Sequence, residues 1–206
     1  MKKAMVAVLA ALVVVALVPQ TLSAGVGVKG GYSWSKFSVK SSEPVPFTLG
    51  YLPNVVGGVY FNINLGLLSV QPEVLYTRMG AKYEVGEDGL QWRFDYIQVP
   101  VLLKLNVIPV GPIRPFIAVG GYGAYLLSAK GVMIVGGVSE ETDMSDSMQK
   151  YDYGAVGGAG VAFRLPGISI SVEGRYNLGL ANIEKDPPAG ESMKNRSVMA
   201  LVGIGF

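Results

Sequence analysis

From residue 25 to the end of the chain, apolar and polar positions alternate with a period of two, and helix-period stripes are scarce. Successive side chains of a strand point to opposite faces, so this rhythm commits the chain to strands with two chemically different sides. Eight segments carry it: 25–38, 54–64, 67–83, 91–106, 114–128, 151–165, 168–180 and 195–206. The seventh is the clearest. Ile168, Ile170, Val172, Tyr176 and Leu178 share one face, and Ser169, Ser171, Glu173, Arg175 and Asn177 share the other. The fifth is the weakest, because its two faces differ little in polarity.

The connections alternate in length as well. Those around 64–66, 107–113 and 165–167 are short, and those around 39–53, 84–90, 129–150 and 181–194 are longer and more polar. Each segment reaches the 9–11 or so residues that a tilted strand needs to cross hydrocarbon. In lipid, strands satisfy their backbone groups only when the sheet closes. Short turns at one rim and long loops at the other suit an outer-membrane barrel, with the short turns toward the periplasm. The expected fold is therefore all-β: an eight-stranded antiparallel up-and-down transmembrane β-barrel. Aromatic residues near strand ends suit its interfacial girdles. They are Tyr32, Trp34, Tyr51, Tyr83, Trp92, Phe94, Tyr151, Tyr153, Phe163, Tyr176 and Phe206.

The N-terminus reads as an export signal. Lys2 and Lys3 precede an uncharged apolar run over 4–18, then Pro19 and small residues suited to cleavage after Ala24. The apolar run is shorter than the roughly 20 residues of a spanning helix. This divides the chain into a cleaved signal peptide, 1–24, and a barrel domain, 25–206. With no Cys, the chain is not a lipoprotein and has no disulfides to lean on. With no His, it lacks the commonest general base and metal ligand. Without Lys2 and Lys3, 15 basic residues balance 15 acidic ones, which gives no general attraction to nucleic acid.

Charge placement within the strands is the sharpest clue to a site. Lys29, Glu73, Lys104, Asp152, Arg164, Glu173 and Arg175 all fall on the less apolar face. In a small barrel they are expected to point inward as a charged lumen cluster, where they must pair. Neighbouring strands suggest a Glu73–Lys104 pair, and Lys29 is expected to reach acidic groups across the lumen. The glycines around 120–123 and 157–160 lack the following helix and Lys-Ser/Thr ending of a phosphate loop. They are read as relief from crowding in a curved wall. No cofactor or metal site is expected.

Four stretches carry a family resemblance: Val28-Lys29-Gly30-Gly31-Tyr32-Ser33, the run from Ser69 to Ala81, Asp95 to Lys104, and Arg114 to Gly120. Together they resemble the PorT-like outer-membrane β-barrel domain family, common in Bacteroidetes-type bacteria. The resemblance covers most of the chain after residue 24. It implies a small outer-membrane barrel of a Gram-negative-type cell. The terminal Phe206 resembles the C-terminal aromatic that barrel-assembly machinery recognises. The partners expected are outer-membrane lipid, that machinery during biogenesis, and an extracellular or envelope protein held by the loops; no nucleic acid is expected.

The leading expectation is a non-enzymatic barrel with a structural, adhesive or envelope-complex accessory role. The 129–150 loop, with Glu140, Glu141, Asp143 and Asp146, is its candidate binding surface, although a solvated acidic loop reads the same way. The alternatives are a small-solute channel, an outer-membrane enzyme, and a soluble lipocalin-like barrel with its apolar residues inside. An eight-stranded interior is just wide enough for side chains to fill, which weighs against a channel. A chain without His has no Ser-His-Asp constellation.

Overall fold

Alternation makes strands, and here the strands pair into one antiparallel sheet. The computed structural model describes residues 24–41, 49–85, 88–108, 110–188 and 190–206. The expected signal segment lies outside these residues apart from Ala24. The elements are β1 (Ala24–Lys40), β2 (Gly50–Leu65), β3 (Leu68–Val85), β4 (Asp88–Asn106), β5 (Ile113–Val135), β6 (Val138–Asp143), β7 (Tyr151–Leu165), β8 (Ile168–Gly179) and β9 (Ser192–Gly205). The order is β4-β3-β2-β1-β9-β8-β7-β5, and β4 pairs with β5 to close the ring. That seam runs from Asn106↔Phe116 to Gly89↔Ile134. Eight strands thus form an up-and-down barrel, and β6 stands outside the ring, paired with β5. No helix among the described residues is long and apolar enough to cross a membrane.

The short turns are as tight as the sequence suggests. Gly66 and Gly167 take φ of 84° and 82° in the β2–β3 and β7–β8 turns, a region open to Gly without steric cost. Two of the four long connections differ from expectation. The 84–90 stretch is mostly strand, ending in a hairpin at Val85↔Asp88. The 129–150 stretch is not a single polar loop. β5 continues through Val132, Met133, Ile134 and Val135, turns at Gly136-Gly137 with φ of 56° and 81°, and returns as β6. Two consecutive positive-φ glycines between β-branched residues make a hairpin turn. The acidic residues of the returning arm obscured that signal.

Orientation decides between a membrane barrel and a soluble one. Val172 and Val202 are 52% and 50% exposed, whereas Arg175 is 3% exposed. The aliphatic side chains face out and the charges face in, the reverse of a lipocalin-like barrel. Up from the short-turn rim, Leu105, Leu103, Val101, Val99 and Ile97 of β4 point outward, and Asp95 follows on the same face. On β3, Leu68, Val70, Pro72, Val74 and Tyr76 lead to Arg78. Arg78 Nε meets Asp95 Oδ1 at 2.6 Å across the two strands. The apolar band is therefore about ten residues tall and ends in charge, matching the thickness of hydrocarbon a tilted strand crosses. Most of the aromatics named above are exposed on this outer wall. Phe94 is not: it has the inward parity of Tyr96 and Gln98 and is fully buried. Trp92 packs against the same interior cluster.

The lumen as candidate functional site

Around the ring, β3 and β8 lie four strands apart in either direction, diametrically opposed. Arg175 of β8 nevertheless donates to Glu73 of β3, Nη1 to Oε2 at 2.7 Å and Nη2 to Oε1 at 2.9 Å. This pair spans the full width of the lumen. Arg175 also donates from Nε and Nη2 to Glu173 Oε1, at 2.9 and 2.7 Å. Lys29 of β1 completes the circuit, giving its Nζ to Glu73 Oε1 at 2.7 Å and Glu173 Oε2 at 2.8 Å. Two cations and two carboxylates, each no more than 4% exposed, form a neutral four-membered cluster. Burying charge costs several kcal/mol per ion unless geometry and hydrogen bonds offset it. Here every charge meets two opposite ones. Tyr60 packs beneath Lys29, whose Nζ lies 5.2 Å from the ring centroid. The ring fits because Gly27, Gly203 and Gly205 leave the space that a Cβ would take.

Three expected members of the cluster stand elsewhere. Lys104 does not pair with Glu73. The β3–β4 register sets Lys104 opposite Ser69, four residues of β3 below Glu73. Its Nζ instead donates to Gln71 Oε1 at 2.9 Å and lies 3.7 Å from the centre of the Phe116 ring. Asp152 is buried nearer the opposite end, where Asn195 Nδ2 and Tyr122 Oη donate to it at 2.9 and 3.3 Å. Arg164 is exposed at the short-turn rim, because its strand ends one residue later. Phe206 is exposed at the same rim, its backbone N–H bonded to the Val26 carbonyl at 2.8 Å.

Neutral polar groups extend the lattice, and these were missed when only charges were sought. Gln71 Nε2 donates to Glu73, Asn177 Nδ2 to Gln98 Oε1, and Asn195 Nδ2 to Tyr96 Oη. The last two also reach from one side of the ring to the other. Their inward parity was the available signal.

The two ends of the lumen differ. Toward the long-strand end, Phe37, Met79, Phe94, Tyr96 and Leu126 pack with Met148 and Ile183 from the connections, Ile183 being fully buried. Gln149 N–H bonds to the Ile183 carbonyl and Ile183 N–H to the Met193 carbonyl, both at 2.9 Å, which folds these connections over the opening. The short-turn end is a cavity of about 360 Å³ lined by Lys104, Arg114, Arg164 and several amide and hydroxyl side chains. Outside the barrel, Glu141 of β6 meets Lys130 of β5 at 2.8 Å. That ammonium holds the Glu141 carboxyl below the usual carboxylate range. Asp143 Oδ1 accepts the Ser145 N–H at 2.8 Å. Among the described residues no His, Cys, Asp or Glu group of three or more is arranged to hold a metal.

Known proteins bear on this architecture in three ways. No curated protein matches the chain. Among solved structures, surface protein A of Neisseria aligns over 88% of this chain and 95% of its own, with a TM-score of 0.50 and 14% identity. OprG of Pseudomonas aeruginosa aligns over 89% and 95%, with a TM-score of 0.53 and 12% identity. At such identity the likeness is one of fold. The family described as outer membrane protein beta-barrel domain matches residues 19–185, most of the chain. With the lipid-facing band and closed ring described above, that match makes the chain a member of the outer membrane protein beta-barrel domain family, resident in the outer membrane.

Proposed function

We propose that this protein is a closed wall anchor that holds a β-ribbon outside the membrane for recognition of another extracellular or envelope protein. The observation that carries this reading is the Arg175–Glu73 contact across the lumen. A barrel whose middle is filled by a neutral ion lattice offers no continuous water path, which disfavours the small-solute channel. What is left for function is the exterior. β5 runs for 23 residues and β8 for 12, so one side of the barrel rises well above the lipid band. Its tip exposes Met133, Val135 and Val138 beside the acidic β6.

The reading is non-enzymatic, since a chain without His offers no nucleophile–base pair of the usual kind. Kinship with PorT-like members, recognition of Phe206 by assembly machinery and removal of residues 1–24 on export belong to the same reading.

Two measurements on the full-length barrel test it. Reconstituted in a planar bilayer, the protein is expected to show no stable unit conductance. In intact cells, a photo-crosslinker at position 140 is expected to give a discrete protein adduct, and one at lipid-facing position 172 none. A reproducible open state, with no adduct from position 140, would turn the assignment to a channel.

A further inference from the structure

The four-membered ion cluster balances itself, two cations against two carboxylates, and so leaves Lys104 without a counter-charge. Lys104 is 8% exposed, and no carboxylate among the described residues lies within ion-pair distance of it. It forms part of the wall of the short-turn cavity of about 360 Å³, together with Arg114 and Arg164. The described lining includes no Asp or Glu side chain, and the α-carboxylate of Phe206, which also lines it, offsets one of the three cations at most. Arg114 and Arg164 come from adjacent strands, β5 and β7, whose register pairs Arg114 with Ala162. Both guanidiniums line the same cavity and carry the same charge. Arg114 Nε donates to the Gly111 carbonyl at 3.1 Å, and among the described residues neither Arg114 nor Arg164 has a carboxylate partner.

Three like charges around one half-open cavity raise the free energy of the empty barrel, and an anion that enters relieves it. Guanidinium presents a planar fork of donors that matches the oxygens of a phosphate, and a buried ammonium adds a point charge behind it. Asn106 and Ser69 add short polar groups at the edge. A phosphate group, as monoester or diester, presents more acceptor oxygens to these cations than a single carboxylate does.

We propose that the short-turn mouth of the barrel binds a phosphate group, seated between Lys104, Arg114 and Arg164. In outer-membrane barrels this rim faces the periplasm, so the phosphate arrives either on a soluble phosphomonoester or on the headgroup of a phospholipid in the inner leaflet. The site is independent of the exterior ribbon, and the two proposals stand or fall separately.

The test uses the full-length barrel in a phosphate-free glycoside detergent, with phosphorus NMR as the readout. Inorganic phosphate and glycerol 3-phosphate are titrated first, at constant ionic strength. Nanodiscs of phosphate-free glycolipid doped with phosphatidylglycerol form the second arm. Both arms are repeated with R114Q/R164Q, whose side chains stand at the rim, and with K104Q. Heat-dependent gel mobility reports that each variant still folds. Saturable binding in the first arm, weakened at least tenfold in R114Q/R164Q, supports the site with a soluble ligand. Saturation only in the lipid arm, with the same tenfold loss, supports it with a headgroup ligand. Absence of saturation in both arms, or binding that a folded R114Q/R164Q barrel retains in full, overturns the proposal.

Discussion

Arg175 and Glu73 show what a single side chain contributes to this barrel. Each is buried and each has two opposite charges in contact, so removing either leaves the lumen cluster with one uncompensated buried charge. Breaking one partner of a buried pair costs about 3–5 kcal/mol, whereas replacing both by apolar groups of similar volume comes close to neutral. Arg175→Met is therefore expected to lower the urea midpoint of the barrel in lipid vesicles far more than a double change to Arg175→Met with Glu73→Leu. A double-mutant cycle on the two positions reads the coupling. A double variant that loses the sum of the two single losses would mean that the pair does not hold the lumen together. At this scale the sequence was informative by parity alone. Lys29, Glu73, Glu173 and Arg175 fall on the inward face because each alternates with uncharged positions on a largely apolar outward face. The partners were not legible. Glu73 and Arg175 are 102 residues apart and meet only because β3 and β8 stand opposite one another once the ring closes. The tempting neighbour pair, Glu73 with Lys104, fails on a register offset of four residues that no local pattern encodes.

The strands show the same division between what is written locally and what closure decides. Their outward faces carry an apolar run of about ten residues and then switch to charge, Tyr76 to Arg78 on β3 and Ile97 to Asp95 on β4. This is why eight strands could be read from alternation, even though their upper ends could not. Above the charged collar the outer face no longer meets lipid, so the pattern loses contrast while the hydrogen-bonded ladder continues. β6 is the extreme case: all six of its residues are exposed, and its composition is that of a solvated loop. Its existence rests on the ladder with β5 and on the Gly136-Gly137 turn. Because Val132 faces Glu141 across that ladder, residues 133–140 can be replaced by Asn-Gly without altering the register below. The shortened protein is expected to keep its heat-dependent gel mobility and urea midpoint, since none of the lumen contacts involves the excised residues. It is also expected to lose any partner that the ribbon holds. Collapse of the barrel on shortening would show that the ribbon is part of its stability rather than a display.

The whole molecule has a direction along its axis. A cationic cavity opens at the short-turn rim, a neutral ion lattice fills the middle, and apolar side chains with Ile183 and Met148 seal the far end. On the closed-anchor proposal, water enters the lumen from the short-turn rim and stops at the lattice. The absence of Cys makes this measurable, because any introduced thiol is the only one in the chain. Ser169 lines the cavity, and Thr77 lies on the same interior surface beyond Glu73, with no exposed area. A Ser169→Cys variant is expected to react with a small charged maleimide once the periplasmic rim is accessible. A Thr77→Cys variant is expected to stay unmodified from either side, its thiol walled off from solvent. Adding Glu73→Ala and Arg175→Ala to Thr77→Cys removes the ion pair that spans the lumen while leaving the apolar seal above. Reactivity is then expected from the periplasmic side alone. If Thr77→Cys in the otherwise intact barrel reacted as fast as Ser169→Cys, the lumen would be continuous with water, and a closed wall anchor would no longer describe the molecule.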